Sequence, residues 1–162
     1  PGVGSTFWFT ARLGIGMLPA PGPALTGATA EESIRRLHAG ARVLLVEDDL
    51  VNQEVALELL SDTGLQVDVA ANGRLAVARA ADTDYALILM DMQMPEMGGL
   101  EATALIRTLP RHRATPIIAM TANAFDEDRQ RCLLSGMNDF VAKPVEPDLL
   151  FTTLARWLSA PG

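Results

Sequence analysis

The chain has 162 residues, of which 49% are hydrophobic and 20% charged, a composition typical of a folded globular domain rather than a disordered chain. Its formal net charge of −7 disfavours nonspecific nucleic-acid binding, because the phosphate backbone would be repelled. The single cysteine, Cys132, excludes an intrachain disulfide framework and fits a reducing compartment, so we expect a cytoplasmic location.

The first 40 residues are predicted to lie outside the main domain. Residues 1–13 have strand character, whereas the many glycines and prolines of residues 14–28 are typical of a linker. Thr29 and Glu32 match a capping box, which predicts a short helix from there to a solvated His38. No apolar run is long enough to cross a membrane, so we expect no membrane contact by this chain. Since the sequence starts with Pro1 rather than methionine, we expect it to be part of a longer protein.

From Ala41 onward, strand-like and helix-like segments alternate. Predicted strands cover 42–47, 65–70, 85–91, 116–121 and 139–143, and predicted helices cover 50–63, 73–81, 100–109, 125–135 and 147–159. Five successive pairs of strand and helix predict an α/β fold, in which a five-stranded parallel sheet is doubly wound with helices on both faces.

Polar side chains follow four of these strands. The acids Glu47, Asp48 and Asp49 follow the first, Asp91 ends the third, and a hydroxyl (Thr121) and an amine (Lys143) end the fourth and fifth. Because the carboxyl ends of parallel strands share one edge of the sheet, where ligands bind, we expect these groups to meet there. Three consecutive acids favour a divalent cation or a basic partner.

Taken singly, these residues have simpler explanations. An isolated acid at position 48 or 49 would cap the following helix, and Asp49 is predicted to do so in any case. Thr121 and Lys143 alone would be a strand-end hydroxyl and a surface amine, and Phe140 alone would be a core residue. Zinc is disfavoured because the second histidine, His112, lies in a polar loop, far in sequence from the first. The four methionines from Met90 to Met97 are better explained by packing than by metal binding.

The combination of these endings resembles a known family. Residues 41–160 resemble the receiver domain of two-component response regulators. Four motifs carry the resemblance: LVEDD at 45–49, MDMQMPEMGG at 90–99, MTAN at 120–123 and FVAKP at 140–144. Each motif alone is weak, but their order, spacing and placement on the predicted elements together are specific. The resemblance implies a flavodoxin-like sheet with strand order 2-1-3-4-5.

The resemblance also implies roles for single residues. Asp91 would be the phosphoacceptor, forming an aspartyl phosphate from phosphohistidine or a small acyl phosphate. Mg²⁺ would be bound by Asp48, Asp91 and the backbone carbonyl of Gln93, with Glu47 acting through water. Thr121 and Lys143 would bind phosphoryl oxygens.

Further implied roles concern regulation. Phe140 would act with Thr121 as a conformational switch, and Gln93 and Asn123 would tune self-dephosphorylation. The family also carries a cis peptide between Lys143 and Pro144.

A second, shorter resemblance covers Gly2–Phe9, which is similar to the last strands of the ATP-binding domain of histidine kinases. It implies three regions: a kinase remnant at 1–13, a linker with a short helix at 14–40, and the receiver at 41–160. The chain would then be the C-terminal receiver of a hybrid sensor kinase, itself anchored to a membrane or not. This piece would have no kinase activity of its own.

The expected partner is the dimerisation and phosphotransfer domain of a histidine kinase or a histidine phosphotransfer protein, and the resemblance also allows a homodimer. Residues 124–136 and 139–141 form the predicted partner surface. The alternative function is a docking module that works without phosphorylation. An aspartyl-phosphate phosphatase is disfavoured because it needs a second acid two residues after the nucleophile, where this chain has Gln93.

Overall fold

The structure, a computed structural model, describes residues 26–122 and 126–160, with the backbone alone for 126–129. The predicted kinase remnant and linker up to residue 25 lie outside the described residues, as do Asn123, Ala124 and Phe125. The strands are β1 (Arg42–Val46), β2 (Gln66–Ala70), β3 (Leu87–Asp91), β4 (Ile117–Thr121) and β5 (Asp139–Ala142). The helices are α1 (Gly27–Leu37), α2 (Leu50–Ser61), α3 (Gly73–Asp82), α4 (Gly99–Thr108), α5 (Asp126–Leu134) and α6 (Pro147–Leu158), and a 3₁₀ turn covers Pro110–His112.

The five strands form one parallel sheet in the order β2-β1-β3-β4-β5, which confirms the predicted fold. In this register Val46 pairs with Met90, Asp91 with Met120 and Thr121 with Ala142. The chain therefore leaves β1, β3, β4 and β5 at neighbouring points along one edge of the sheet, the carboxyl-terminal edge.

Two apolar layers cover the sheet. On one face, Ala30, Ile34, Leu60 and Leu154 bring α1, α2 and α6 into one cluster with the sheet. On the other face, α3, α4 and α5 pack around Ile88, Met90 and Ile117. Every residue of β3 and β4 is buried, because the central strands of a parallel sheet are covered on both sides, and all are apolar except the terminal Asp91 and Thr121.

Helix α1 differs from its prediction. It begins at Gly27 with Thr26 as N-cap, so Thr29 lies inside the helix and the predicted capping box does not form. The Thr29 hydroxyl donates instead to the Thr26 carbonyl oxygen, 2.8 Å away. Tertiary packing decides this start, because Gly27 lies so close to α6 that an added Cβ would come within 2.5 Å of the Asp148 Cα.

Helices α1 and α6 run in the same direction. Gly27 at the start of α1 lies beside Asp148 in the first turn of α6. At the other end, His38 Nε2 lies 3.1 Å from the hydroxyl of Ser159, just beyond α6. His38 is thus half-buried and hydrogen-bonded rather than solvated as predicted.

The opposite, amino-terminal edge of the sheet is held by a half-buried arginine. The Arg107 guanidinium donates to four oxygens: Gly136 O at 2.9 Å, His112 O at 2.6 Å, Thr115 O at 2.7 Å and Asn138 Oδ1 at 2.7 Å. Burial lowers the pKa of Arg107 from its usual value. These bonds tie α4 to the segments that lead into β4 and β5.

His112 was predicted to lie in a polar loop but is fully buried at this same edge. The 3₁₀ turn that starts at Pro110 directs its ring inward, where it stacks on Tyr85 with ring centroids 6.1 Å apart. The ring Nε2 lies 3.0 Å from the Thr83 carbonyl, and Nδ1 lies 3.0 Å from the Thr115 hydroxyl. Because a carbonyl only accepts, Nε2 carries the proton.

Within the described ranges, none of the helices has the length and apolar character needed to span a membrane.

Candidate functional site

Three carboxylates meet at the carboxyl-terminal edge. Glu47 follows β1, Asp91 ends β3, and one oxygen from each of Glu47, Asp48 and Asp91 lies within 4.8 Å of the others. Glu47 is 2% exposed and Asp91 is 4% exposed, whereas Asp48 faces solvent. The pairing of Val46 with Met90 explains the meeting, because the residues after them continue side by side.

Lys143 closes the cluster from the end of β5. Its Nζ donates to Glu47 Oε2 at 2.6 Å and lies 2.8 Å from Asp91 Oδ2. Burial disfavours the charged amine, but the hydrogen bonds and charges of Asp91 and Glu47 outweigh burial and raise the pKa of Lys143. The ammonium ion is therefore held in the charged form. The peptide bond between Lys143 and Pro144 is cis, as the resemblance implies.

The cluster has more negative than positive charge. Three carboxylates and one ammonium group give a formal charge of −2. Two carboxylates ~4 Å apart repel each other by ~4 kcal/mol at an effective dielectric constant near 20. Because oxygen donors converge here and Asp48 leaves one side open to solvent, the residues fit a hard divalent cation such as Mg²⁺.

The loop after Asp91 is packed against the start of α4. The Gln93 amide donates to Asp91 Oδ1 at 3.1 Å. Gly99, the first residue of α4, lies so close that a Cβ there would overlap the Asp91 carbonyl oxygen. Glu96 takes a left-handed backbone conformation with φ 66°. The loop methionines pack on the core face of α3 to α5, which confirms their predicted packing role.

Thr121 ends β4 beside the lysine. It is buried, and its carbonyl oxygen accepts a hydrogen bond of 2.8 Å from the Lys143 amide. Phe140, on β5, pairs with Ala119 of β4. Its side chain is half-buried and packs on the apolar cluster that α3, α4 and α5 form with the sheet. The structure thus brings Thr121 next to Lys143 but leaves Phe140 as a packed ring, and its switch role stays a prediction. Asn123 lies outside the described residues.

Asp49 caps α2 as predicted: its carboxylate accepts from the amides of Val51 at 2.9 Å and Asn52 at 3.0 Å. Cys132 is buried, with its Sγ 3.6 Å from the Met92 sulfur.

Two amides in the first turn of α2 were missed by sequence reasoning. Asn52 Nδ2 donates to Glu47 Oε1 at 3.1 Å, and Gln53 Nε2 donates to the Glu47 carbonyl oxygen at 2.7 Å. The available signal was their position, five and six residues after Glu47, where the first helical turn folds back over the end of β1.

Comparison with known proteins gives one consistent result. The sequence model of the response regulator receiver domain matches residues 43–155. Two-component system protein A of Emericella nidulans is 39% identical over 95% of this chain, which spans 24% of that protein. The signal transduction histidine-protein kinase BarA of Escherichia coli K12 is 39% identical over 74% of this chain, which spans 13% of that protein. The chain thus covers only a small part of these curated relatives.

Solved structures agree. The receiver domain of a sensor histidine kinase from Pseudomonas aeruginosa PAO1, crystallised with a magnesium ion in its active-site cleft, is 44% identical with a TM-score of 0.71, over 75% of this chain and all of that one. The Saccharomyces cerevisiae Ssk1 receiver domain, solved with the histidine phosphotransfer protein Ypd1, is 31% identical with a TM-score of 0.69, over 74% of this chain and 89% of that one.

Proposed function

Because this chain belongs to the family of response regulator receiver domains of two-component systems, we propose that Asp91 is its phosphoacceptor. The observation that carries the proposal is the setting of Asp91: a buried carboxylate grouped with Glu47 and Asp48, and only 2.8 Å from the amine of Lys143. Asp91 can therefore act as the attacking carboxylate, with the Lys143 ammonium close enough to offset part of the negative charge of an arriving phosphoryl group.

The transfer makes one bond and breaks one. An Asp91 carboxylate oxygen bonds to phosphorus while the phosphorus–nitrogen bond of a phosphohistidine breaks, and the imidazole leaves with the electron pair. The transferring group spreads negative charge over its outer oxygens. Lys143 pairs with one of these oxygens, which requires its ammonium to release part of its contact with Asp91. The Thr121 hydroxyl, buried beside Lys143, donates to another.

Magnesium would be held by Asp48, Asp91 and the backbone carbonyl of Gln93, with Glu47 adding its charge. Support comes from the converging carboxylate oxygens and from the magnesium ion in the related Pseudomonas receiver. When bound, the ion would offset the negative charge of the carboxylates and of the arriving phosphoryl group.

Regulation of the phosphorylated state is assigned to residues around this centre. Gln93 and Asn123 would set the lifetime of the phosphoryl group by controlling how water approaches. The backbone amide of Gln93 already donates to the Asp91 carboxylate. Phe140 would follow Thr121 as the switch; the two residues lie on adjacent paired strands, and Phe140 pairs with Ala119, two residues before Thr121.

We place the docking site of a histidine phosphotransfer protein, or of the phosphotransfer domain of a kinase, on α2, which differs from the surface of residues 124–136 and 139–141 predicted from the sequence. Three apolar side chains at the start of α2 are largely exposed: Leu50 at 76%, Val51 at 67% and Val55 at 50%. Val55 also lines a cavity of about 170 Å³ together with Glu47 and Lys143, so this face borders the site. The complex of Ypd1 with the related Ssk1 receiver supports this class of partner.

The chain would be the receiver part of a hybrid kinase, with residues 1–13 as a remnant of the ATP-binding domain and 14–40 as a linker whose short helix, α1, packs on the receiver. Support comes from Two-component system protein A, whose match covers 95% of this chain and so extends beyond the 43–155 that the receiver family matches. The proposed cytoplasmic location follows from the same assignment.

The test is phosphorylation by a small phosphodonor, acetyl phosphate, with and without MgCl₂, read as intact protein mass. Wild-type protein should gain one phosphoryl group only with Mg²⁺, and Asp91→Asn should gain none. Asp84→Asn is the matched control, since Asp84 is an exposed acid at the opposite edge.

Absence of any mass gain in folded wild-type protein would overturn the proposal and favour the docking module that works without phosphorylation. Equal gain in wild type and Asp91→Asn would place the phosphoacceptor elsewhere.

A further inference from the structure

Both carboxylate oxygens and the backbone carbonyl of Glu47 accept hydrogen bonds. Its Oε2 accepts from Lys143 Nζ at 2.6 Å, and its Oε1 accepts from Asn52 Nδ2 at 3.1 Å and, more weakly, from the Asp49 amide at 3.4 Å. Its backbone carbonyl accepts from Gln53 Nε2 at 2.7 Å. The buried carboxylate therefore has one oxygen committed to α2 and the other to the reactive cluster.

We propose that Asn52 is a positioning residue that fixes the Glu47 carboxylate for cation binding and phosphoryl transfer. This inference rests on the function proposed above. It assigns a role to a residue that would contact neither the bound cation nor the phosphoryl group. Asn52 acts through Glu47 alone.

The position of Asn52 in the helix argues for this role. It is the third residue of α2, where a side chain in a capping box would satisfy the backbone amide of the N-cap residue. Here the N-cap amide of Asp49 turns to Glu47 Oε1 instead, and the Asn52 amide group also donates to that oxygen. Both donors therefore bind the Glu47 carboxylate, and the Asn52 side chain does not cap the helix.

The chemistry of glutamate explains the need. Its side chain has one more rotatable bond than aspartate, so a single contact leaves its carboxylate able to swing. Without Asn52, Oε1 would keep only the 3.4 Å contact with the Asp49 amide among the described residues. Glu47 could then turn away from Lys143, which would leave the ammonium free to pair more tightly with Asp91 and to compete with the cation for that carboxylate.

Because Asn52 is exposed, its replacement tests the proposed role without disturbing the core. Asn52 itself is exposed although the carboxylate it binds is buried, so its removal should leave the fold intact. Residues that orient metal ligands typically change affinity or activity by about 10–100-fold when they are replaced.

The experiment is calorimetric titration of the whole chain with MgCl₂, without phosphodonor, followed by phosphorylation rates at rising Mg²⁺. Asn52→Ala should raise the Mg²⁺ dissociation constant about 10-fold. At saturating Mg²⁺ its maximal rate should recover most of the wild-type value, because the reacting groups are unchanged. Asn52→Gln, which keeps an amide donor, should restore much of the affinity. Glu58→Ala, an exposed change two turns along α2, is the control.

A double-mutant cycle decides whether Asn52 acts through Glu47. In a Glu47→Gln background, Asn52→Ala should produce no further weakening. Equal affinity of Asn52→Ala and wild type, or additive losses in the cycle, would overturn the inference. If wild-type protein neither binds Mg²⁺ nor accepts a phosphoryl group, the proposed function fails. If it does both and only the Asn52 effects are missing, the proposed function stands and this inference fails.

Discussion

The two edges of the sheet use polar groups in opposite ways. At the amino-terminal edge, the Arg107 guanidinium reaches four oxygens of loops and turns, and His112 has a partner for each ring nitrogen. At the carboxyl-terminal edge, Glu47, Asp48 and Asp91 crowd within 4.8 Å around a single ammonium ion. At the first edge Arg107 and His112 are fully paired and hold loops together, whereas at the second edge carboxylates outnumber ammonium groups and leave an excess of negative charge that a bound cation would offset.

The comparison predicts that the amino-terminal edge carries stability and no chemistry. Arg107→Met should lower the free energy of unfolding by about 1–3 kcal/mol, because acceptors that include the carbonyl groups of the buried His112 and Thr115 lose their donor. Urea unfolding measures this loss. Phosphorylation per folded molecule should stay unchanged, and Arg107→Lys should recover only part of the stability because an ammonium lacks the planar fork. A stability loss below ~1 kcal/mol would contradict the assignment.

The carboxyl-terminal edge should behave in reverse. Asp48→Asn removes one like charge near Glu47 and Asp91, so without Mg²⁺ the protein should become more stable by about 1 kcal/mol, a value reduced from the bare Coulomb energy because Asp48 is exposed. Mg²⁺ affinity should fall about 100-fold. Thermal unfolding with and without MgCl₂ reports both effects. If metal-free Asp48→Asn were less stable than the metal-free wild type, the three carboxylates would not repel one another enough to destabilise the fold.

The smallest expected effect concerns Tyr85, which stacks on His112 at the amino-terminal edge. Burial, and then the hydrogen bond and charge of Asp68, raise the pKa of Tyr85, whose hydroxyl donates to Asp68 Oδ2 at 2.9 Å. A raised pKa in the folded state means that this contribution to stability is complete below about pH 10 and is lost as pH rises through the folded-state value.

The chain has a single tyrosine, so absorbance at 295 nm reports this titration directly. Asp68→Asn should move the pKa back toward the usual range but not reach it, because burial remains. A titration midpoint identical in wild type and variant would exclude the contact with Asp68.

Most of the fold was predictable because burial on both faces leaves a clear record in the sequence. The uninterrupted apolar runs of β3 and β4 could hardly belong to any other kind of strand. The meeting of Glu47, Asp91 and Lys143 followed from parallel topology alone, since it depends on where strands end rather than on details of packing.

The errors concern contacts between segments that are distant along the chain. The start of α1 depends on a close approach of Gly27 to Asp148, and the burial of His112 depends on Thr83. Local propensity carries no information about either contact. Asn52 was missed for a different reason: an asparagine in a first helical turn is common, and only the direction of its side chain reveals that it serves Glu47. The phosphoacceptor, switch and lifetime roles remain predictions.

The parallel arrangement of α1 and α6 determines where the chain enters the domain. The start of α1 lies against the first turn of α6, a few residues after Lys143, so Thr26 lies on the same side of the molecule as Asp91. A donor domain tethered ahead of Thr26 would therefore not need to circle the receiver to reach its target. If a donor domain is joined at this end of the chain, as the hybrid-kinase proposal requires, the rate of its transfer to Asp91 should not change on dilution.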